Sequence, residues 1–115
     1  MRINYNSQKG KHIFIKEKGK THQILLENIT HVICNSTICT VFLIDKKISV
    51  YKRLKEFENE LAEYFFFKTN RNTLINMKYM TSFVKVNNEH LILLNNTKIP
   101  VSRRKRAELN TILSL

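Results

Sequence analysis

Apolar and polar positions alternate along much of this chain in short runs separated by polar turn residues, the signature of half-buried strands joined by hairpins. His12-Ile13-Phe14-Ile15-Lys16 is the first such run and Thr21 to Leu25 the second, with Lys18-Gly19-Lys20 as the turn between them. Leu26-Glu27-Asn28-Ile29 fits a single turn that redirects the chain. His31 to Asn35 and Ile38 to Ile44 are rich in β-branched residues and flank the polar loop Asn35-Ser36-Thr37. Asp45-Lys46-Lys47 then returns the chain into Ile48-Ser49-Val50-Tyr51. The pattern predicts a meander of antiparallel strands over this half.

The period changes after Tyr51. Leu54, Phe57, Leu61 and Tyr64 recur at intervals of three and four with carboxylates on the other side of the wheel, predicting an amphipathic helix over Leu54 to Tyr64. A polar, cationic segment follows, held between the anchors Phe66-Phe67 and Leu74-Ile75, and reads as a loop. Ser82 to Val86, His90 to Leu94 and Thr97 to Val101 are three more strands, joined by the Asn-rich turns Asn87-Asn88-Glu89 and Asn95-Asn96. Ser102 stands where it can cap a closing helix whose apolar positions are Ala107, Leu109, Ile112 and Leu113. The fold class is mainly β, built of antiparallel strands with two short helices; periodicity alone does not choose among small barrels, sandwiches and stacks.

At 115 residues, 43% of them hydrophobic and 25% charged, the chain is one globular domain. Residues 1–11 form an N-terminal extension poor in apolar side chains, and residues 12–115 form the domain. No apolar run reaches the roughly 18 residues of a membrane span, and the opening Met1-Arg2-Ile3-Asn4-Tyr5-Asn6 lacks the apolar segment of a signal peptide. A cytoplasmic location with no membrane partner is the expectation.

Charge narrows the choice of partner. Twenty Lys and Arg face nine Asp and Glu, a net +11, and the segment from Arg53 to Tyr64 runs against this excess with two bases and four acids. The rest is therefore more basic than the average suggests. Bases cluster at Lys9 to Lys20, Lys46 to Arg53, Lys68 to Lys78 and Arg103 to Arg106, which favours a polyanion, nucleic acid ahead of a membrane surface.

Catalytic and metal chemistry find no support. His12, His22, His31 and His90 are scattered, and no Cys-x-x-Cys or His-x-x-x-His organises a metal site. Cys34 and Cys39 lie in strand-like apolar sequence, so two buried thiols are expected rather than a zinc site or a disulfide. Gly10 and Gly19 are the only glycines, which leaves no phosphate-cradling loop. The chain is read as a non-enzyme without cofactor or metal.

The segment Phe66-Phe67-Lys68-Thr69-Asn70-Arg71-Asn72-Thr73-Leu74-Ile75-Asn76-Met77-Lys78-Tyr79-Met80 carries the positive reading. Arg and Asn are the side chains whose paired donors and acceptors grip guanine and adenine edges, and Lys neutralises phosphate. It resembles the central motif of the LytTR-type DNA-binding domain, where a double Phe, a basic residue and a polar pair precede a Leu-Val-Asn-Leu-Lys-Tyr-Ile tail. Ile99-Pro100-Val101-Ser102-Arg103-Arg104 matches a second element of that family, and Glu27 to Ile33 a weaker third, so the resemblance spans residues 12 to 113. It implies an elongated stack of small antiparallel sheets and the output domain of a response regulator in a two-component system. The opening Met1 favours a stand-alone regulator over an excised output domain.

By the same resemblance, double-stranded DNA is bound through three loops inserted in the major groove, with two protomers on repeated half-sites as a homodimer. The loops carry Asn35, Ser36 and Thr37; Asn70 and Arg71; and Ser102 and Arg103. Lys68, Lys78, Arg104 and Arg106 would take phosphates while Arg71 and Arg103 read base edges. Asn76 follows an apolar residue in the motif and is expected to bond within its own turn. At Asn35 to Cys39 the family more often has an acidic residue followed by Gly-Asn-Tyr; here Cys34 replaces the acid and Cys39 the aromatic. Two alternatives stand beside this reading: a small basic RNA-binding domain, which calls for stacking aromatics on an exposed sheet face, and a protein-interaction adaptor derived from a DNA-binding domain.

Overall fold

The computed structural model describes residues 10–114, so the expected extension lies almost wholly outside the described residues. Ten strands and two helices follow in the order β1 (His12–Glu17), β2 (Lys20–Leu25), β3 (Ile29–Asn35), β4 (Ile38–Leu43), β5 (Lys47–Tyr51), α1 (Leu54–Leu61), β6 (Phe66–Asn70), β7 (Thr73–Asn76), β8 (Met80–Val86), β9 (Glu89–Leu94), β10 (Thr97–Pro100) and α2 (Arg103–Leu113). Single 3-10 turns at Leu26–Asn28 and Met77–Tyr79 separate the sheets. The sheets are a hairpin β1-β2, a five-stranded sheet of order β5-β4-β3-β7-β6, and a three-stranded sheet of order β10-β9-β8, all antiparallel. The result is an elongated stack, 43 × 29 × 24 Å.

Alternation on the five-stranded sheet, interrupted by register shifts between Ile29 and His31 and between Lys68 and Asn70, sends its side chains into two separate cores. One face supplies Val32, Cys34, Cys39, Val41, Ile48, Val50 and Leu74, which pack with Ile13, Ile15 and Ile24 of the β1-β2 hairpin and with Leu54, Phe57 and Leu61 of α1. The other face supplies Phe67 and Ile75, which pack with Ile92, Leu94, Ile99 and Val101 of the third sheet and Leu109 of α2. Phe65, Phe66 and Phe67 divide between these cores, with Phe66 against the first and its two neighbours in the second. Each buried large side chain contributes about 1.5–3 kcal/mol, so the two cores hold the central sheet from both sides.

Several sequence expectations change. The five N-terminal strands are not one meander, because the 3-10 turn at Leu26–Asn28 detaches β1-β2 from β3. The cationic segment is not a long loop: Lys68 to Asn70 belong to β6, Thr73 begins β7, and only Arg71 and Asn72 form the turn. Thr69 and Thr73, polar but β-branched, are buried there and continue the strands. Cys34 and Cys39 face each other in the β3-β4 register and are joined as a disulfide rather than kept as two thiols. A two-residue turn at Ser36-Thr37 makes residues five apart direct cross-strand neighbours. Helix α1 stops at Leu61 rather than Tyr64, because the chain must turn to send Phe66 into β6. Ala107, expected on the packed side of α2, is exposed, whereas Leu109 is buried as expected.

Candidate nucleic-acid interface

Antiparallel pairing decides which turns share one end of the central sheet. Strand β3 runs against β7 with Ile33 opposite Thr73, and the Cys34 N–H donates to the Asn72 carbonyl at 2.8 Å. The β3-β4 turn with Ser36 and Thr37 therefore lies beside the β6-β7 turn with Arg71 and Asn72. Neighbouring strands are about 4.8 Å apart, so the two turns are separated by roughly two strand spacings. Asn35, Ser36, Thr37, Arg71 and Asn72 are all exposed, and Ser36 holds φ at +58°.

The N-terminus of α2 is tied to the same end. The Ser102 N–H donates to the Thr69 carbonyl at 2.9 Å, and the Asn70 Nδ2 donates to the Pro100 carbonyl at 2.9 Å. Asn70 also accepts the Asn72 N–H on its Oδ1 at 2.9 Å, so one amide clamps the β6-β7 turn and fastens it to the chain entering α2. Lys68, Asn70, Arg71, Asn72, Pro100, Val101, Ser102, Arg104 and Lys105 line a single open cleft of about 840 Å³. Ser102 is at the N-cap position but makes no side-chain capping bond.

Cations at this end differ in what they already hold. Arg71, Arg103 and Arg104 are exposed and form no ion pair among the described residues. Lys68 is bound to Glu58 of α1 at 3.2 Å, and Lys105 meets Glu108 one turn on at 3.6 Å. Arg103, Arg104 and Lys105 crowd the first turn of α2, which carries no acid. Positive charge there opposes the helix macrodipole and favours an incoming anion.

Lys78 and Arg106 stand apart from this group. Lys78 lies beyond the far end of β7, in the Met77–Tyr79 turn, with its Nζ 5.7 Å from the Tyr79 ring centre. Arg106 is half-buried, its Nε enclosed without a hydrogen-bond partner among the described residues, as is the His90 Nδ1. Desolvation, then the charges of Arg106 and Lys85, lowers the pKa of His90. Asn76 is structural as expected: buried, it donates to the Ile29 carbonyl at 2.9 Å and accepts the Lys78 N–H at 3.1 Å. Asn72, in the quoted cationic segment, and Lys105, in the basic cluster from Arg103 to Arg106, line the cleft as well.

The model of the LytTr DNA-binding domain matches residues 19–114. The chain belongs to the LytTr DNA-binding domain family. A solved LytTr DNA-binding domain, from a putative methyl-accepting/DNA response regulator of Bacillus cereus, superposes with a TM-score of 0.77 over 92% of this chain and 100% of that one, at 16% identity. At that identity the likeness concerns the fold: the same stack of small sheets. A comparison with curated protein sequences gave no match. LytTr domains bind DNA and are not catalytic domains, in accord with a basic end built from turns and a helix start. Among the described residues of this LytTr domain no helix is long and apolar enough to cross a membrane.

Proposed function

We propose that this LytTr domain is a sequence-specific regulator of transcription that binds double-stranded DNA through the end of its central sheet. The observation that carries the reading is the convergence of the β3-β4 turn, the β6-β7 turn and the start of α2, with Arg71, Arg103 and Arg104 exposed there and in no ion pair among the described residues. Arg71 and Arg103 read base edges in the major groove, while Arg104 and Lys105 hold phosphates. Asn35, Ser36 and Thr37 supply short donors and acceptors beside Arg71. Asn70 acts first as the clamp that fixes Arg71, because both ends of its amide are engaged.

Lys68 reaches phosphate by exchanging its Glu58 partner, and Lys78 and Arg106 contribute long-range positive potential rather than contacts at this end. An RNA-binding reading has less support, since Phe65 and Phe67 are buried, Phe66 is half-buried against the first core, and the exposed Phe14 and Tyr51 stand on different sheets. The test is selection from random duplex DNA followed by titration of the enriched duplex and a scrambled one. Enrichment of a defined motif bound at least a hundredfold more tightly than the scrambled duplex is expected. Equal affinity for both duplexes would remove sequence specificity from the proposal, and tighter binding to single-stranded RNA would replace it.

A further inference from the structure

The end of the five-stranded sheet continues past the Asn35 turn into a row of side chains that no core absorbs. Asn35 faces Ile38 across β3-β4, and Ile38 faces Tyr51 across β4-β5. Register partners share a face, so Asn35, Ile38 and Tyr51 stand in line on one side of the sheet, with the Arg71-Asn72 turn next to Asn35. The row from the turn to Tyr51 covers about 14 Å at three strand spacings. Over β6 and β7 this face is covered by the third sheet and α2, but here it is open: Ile38 is 45% exposed and Tyr51 86%.

An isolated exposed tyrosine needs no explanation. Two large apolar side chains paired in register, at the end of the sheet that carries the basic turns, form a surface continuous with the proposed interface. We infer that Ile38 and Tyr51 are a further DNA contact, an inference that rests on the proposed DNA-binding edge. Ile38 packs on a thymine methyl and its deoxyribose at the flank of the site, and the Tyr51 ring lies along the sugar while its hydroxyl donates to a phosphate oxygen.

Charge agrees with a polyanion at this corner. Arg53, two residues beyond Tyr51, is exposed and forms no ion pair among the described residues. Glu17, the carboxylate that reaches β5, is occupied by the Ser49 N–H at 3.2 Å and by His22 at 3.3 Å. A second copy of the chain is a poorer occupant, because two side chains offer far less than the roughly 800 Å² per partner of a stable interface.

The experiment uses the full chain and the duplex enriched from the random library, with thymines at each flanking position replaced in turn by deoxyuridine. Both side chains are exposed, so Tyr51→Ala, Tyr51→Phe and Ile38→Ala should melt with the parent protein. Tyr51→Ala should weaken binding about tenfold and Tyr51→Phe by part of that, through the lost phosphate contact. Ile38→Ala should abolish the penalty that deoxyuridine imposes at one flanking position on the parent protein. Arg71→Ala is the control for the interface itself. Full affinity of Tyr51→Ala alongside lost affinity of Arg71→Ala overturns this inference and leaves the interface standing, whereas full affinity of Arg71→Ala overturns the interface. If Tyr51→Ala dissociates a dimer in sedimentation without changing single-site affinity, the face is a self-association surface and the inference is likewise wrong. Selective loss of single-stranded RNA binding overturns it too.

Discussion

Asn70 and Asn76 sit six residues apart in one motif and do different work, and their neighbours explain why. Asn76 follows buried Ile75 into a tight turn where backbone groups lack partners, and its amide satisfies them; that role was legible from the apolar residue before it. Asn70 and Arg71 were legible only as a polar pair presented together, because the carbonyl that Asn70 grips belongs to Pro100, thirty residues away. If Arg71 and Arg103 touch base edges, Arg71→Ala and Arg103→Ala should each cost about 1–3 kcal/mol on the preferred site and relax preference at one or two positions. A library of single-base substitutions measures this, and uniform losses across the library would make both residues phosphate contacts. His31 gives a second residue-scale expectation. It is buried, stacks on Phe42 with ring centres 4.2 Å apart, bonds Thr30 Oγ1 at 2.8 Å, and burial holds its pKa down to about 4 from 6.5. Below pH 6.5 the unfolded chain takes up this proton while the folded chain resists it, so stability is full above pH 6.5 and falls progressively toward pH 4. The loss should approach about 3 kcal/mol at one or so pH units below the folded pKa. Urea midpoints at pH 7 and pH 4.5 for the parent and for His31→Gln would show it, since the variant should lack that part of the slope.

Element by element, the strands were readable because their period of two is imposed by burial of one face. The β6-β7 hairpin escaped because Lys68, Thr69, Asn70 and Thr73 look like loop residues, and only the pairing of Thr73 with β3 and of the Thr69 carbonyl with the Ser102 N–H accounts for their burial. The same limit applies to the disulfide, whose two cysteines become neighbours only once the β3-β4 turn is known to be two residues long. The helices show a division of charge that was visible in the sequence. Helix α1 holds Glu58 against Lys68 and Glu60 against Lys52, whereas α2 starts with Arg103, Arg104 and Lys105 at its own positive pole. At the proposed DNA-binding edge this is a local electrostatic cost. Arg104→Glu should therefore raise stability by about 0.3–1 kcal/mol, by favourable interaction with the macrodipole, while lowering affinity for duplex DNA. Thermal melting and a titration on one preparation should move in opposite directions; a fall in both would mean that Arg104 supports the helix rather than a ligand.

For the whole molecule, the strand order β5-β4-β3-β7-β6 is the fact that sequence could not supply. The chain leaves β5, crosses through α1 and returns on the other side of β3, a non-sequential pairing to which no local pattern points. That return sets the β3-β4 and β6-β7 turns side by side and brings α2 to the same end. A body whose longest extent is 43 Å covers little more than one duplex turn of about 34–36 Å. If the proposed edge grips duplex DNA, a longer site should be occupied by one copy per half-site, with half-sites spaced by whole turns so that both copies meet the same side of the duplex. The cations at the edge, Arg53, Lys68, Arg71, Arg103, Arg104 and Lys105, allow about six phosphate or base contacts per copy. With Arg71 and Arg103 on base edges, the other four neutralise about four phosphates, which implies a log-log salt slope near −4 for a single half-site. A duplex carrying two half-sites about 21 base pairs apart, two turns and so longer than the 43 Å body, should bind two copies and show nearly double that slope. Moving one half-site by about five base pairs should leave the slope of each single site unchanged while removing any cooperativity between them. Sedimentation of the complex gives the stoichiometry, and affinities across a salt series give the slopes. A single copy per two-site duplex, or a slope near zero, would be incompatible with a basic edge that grips one half-site.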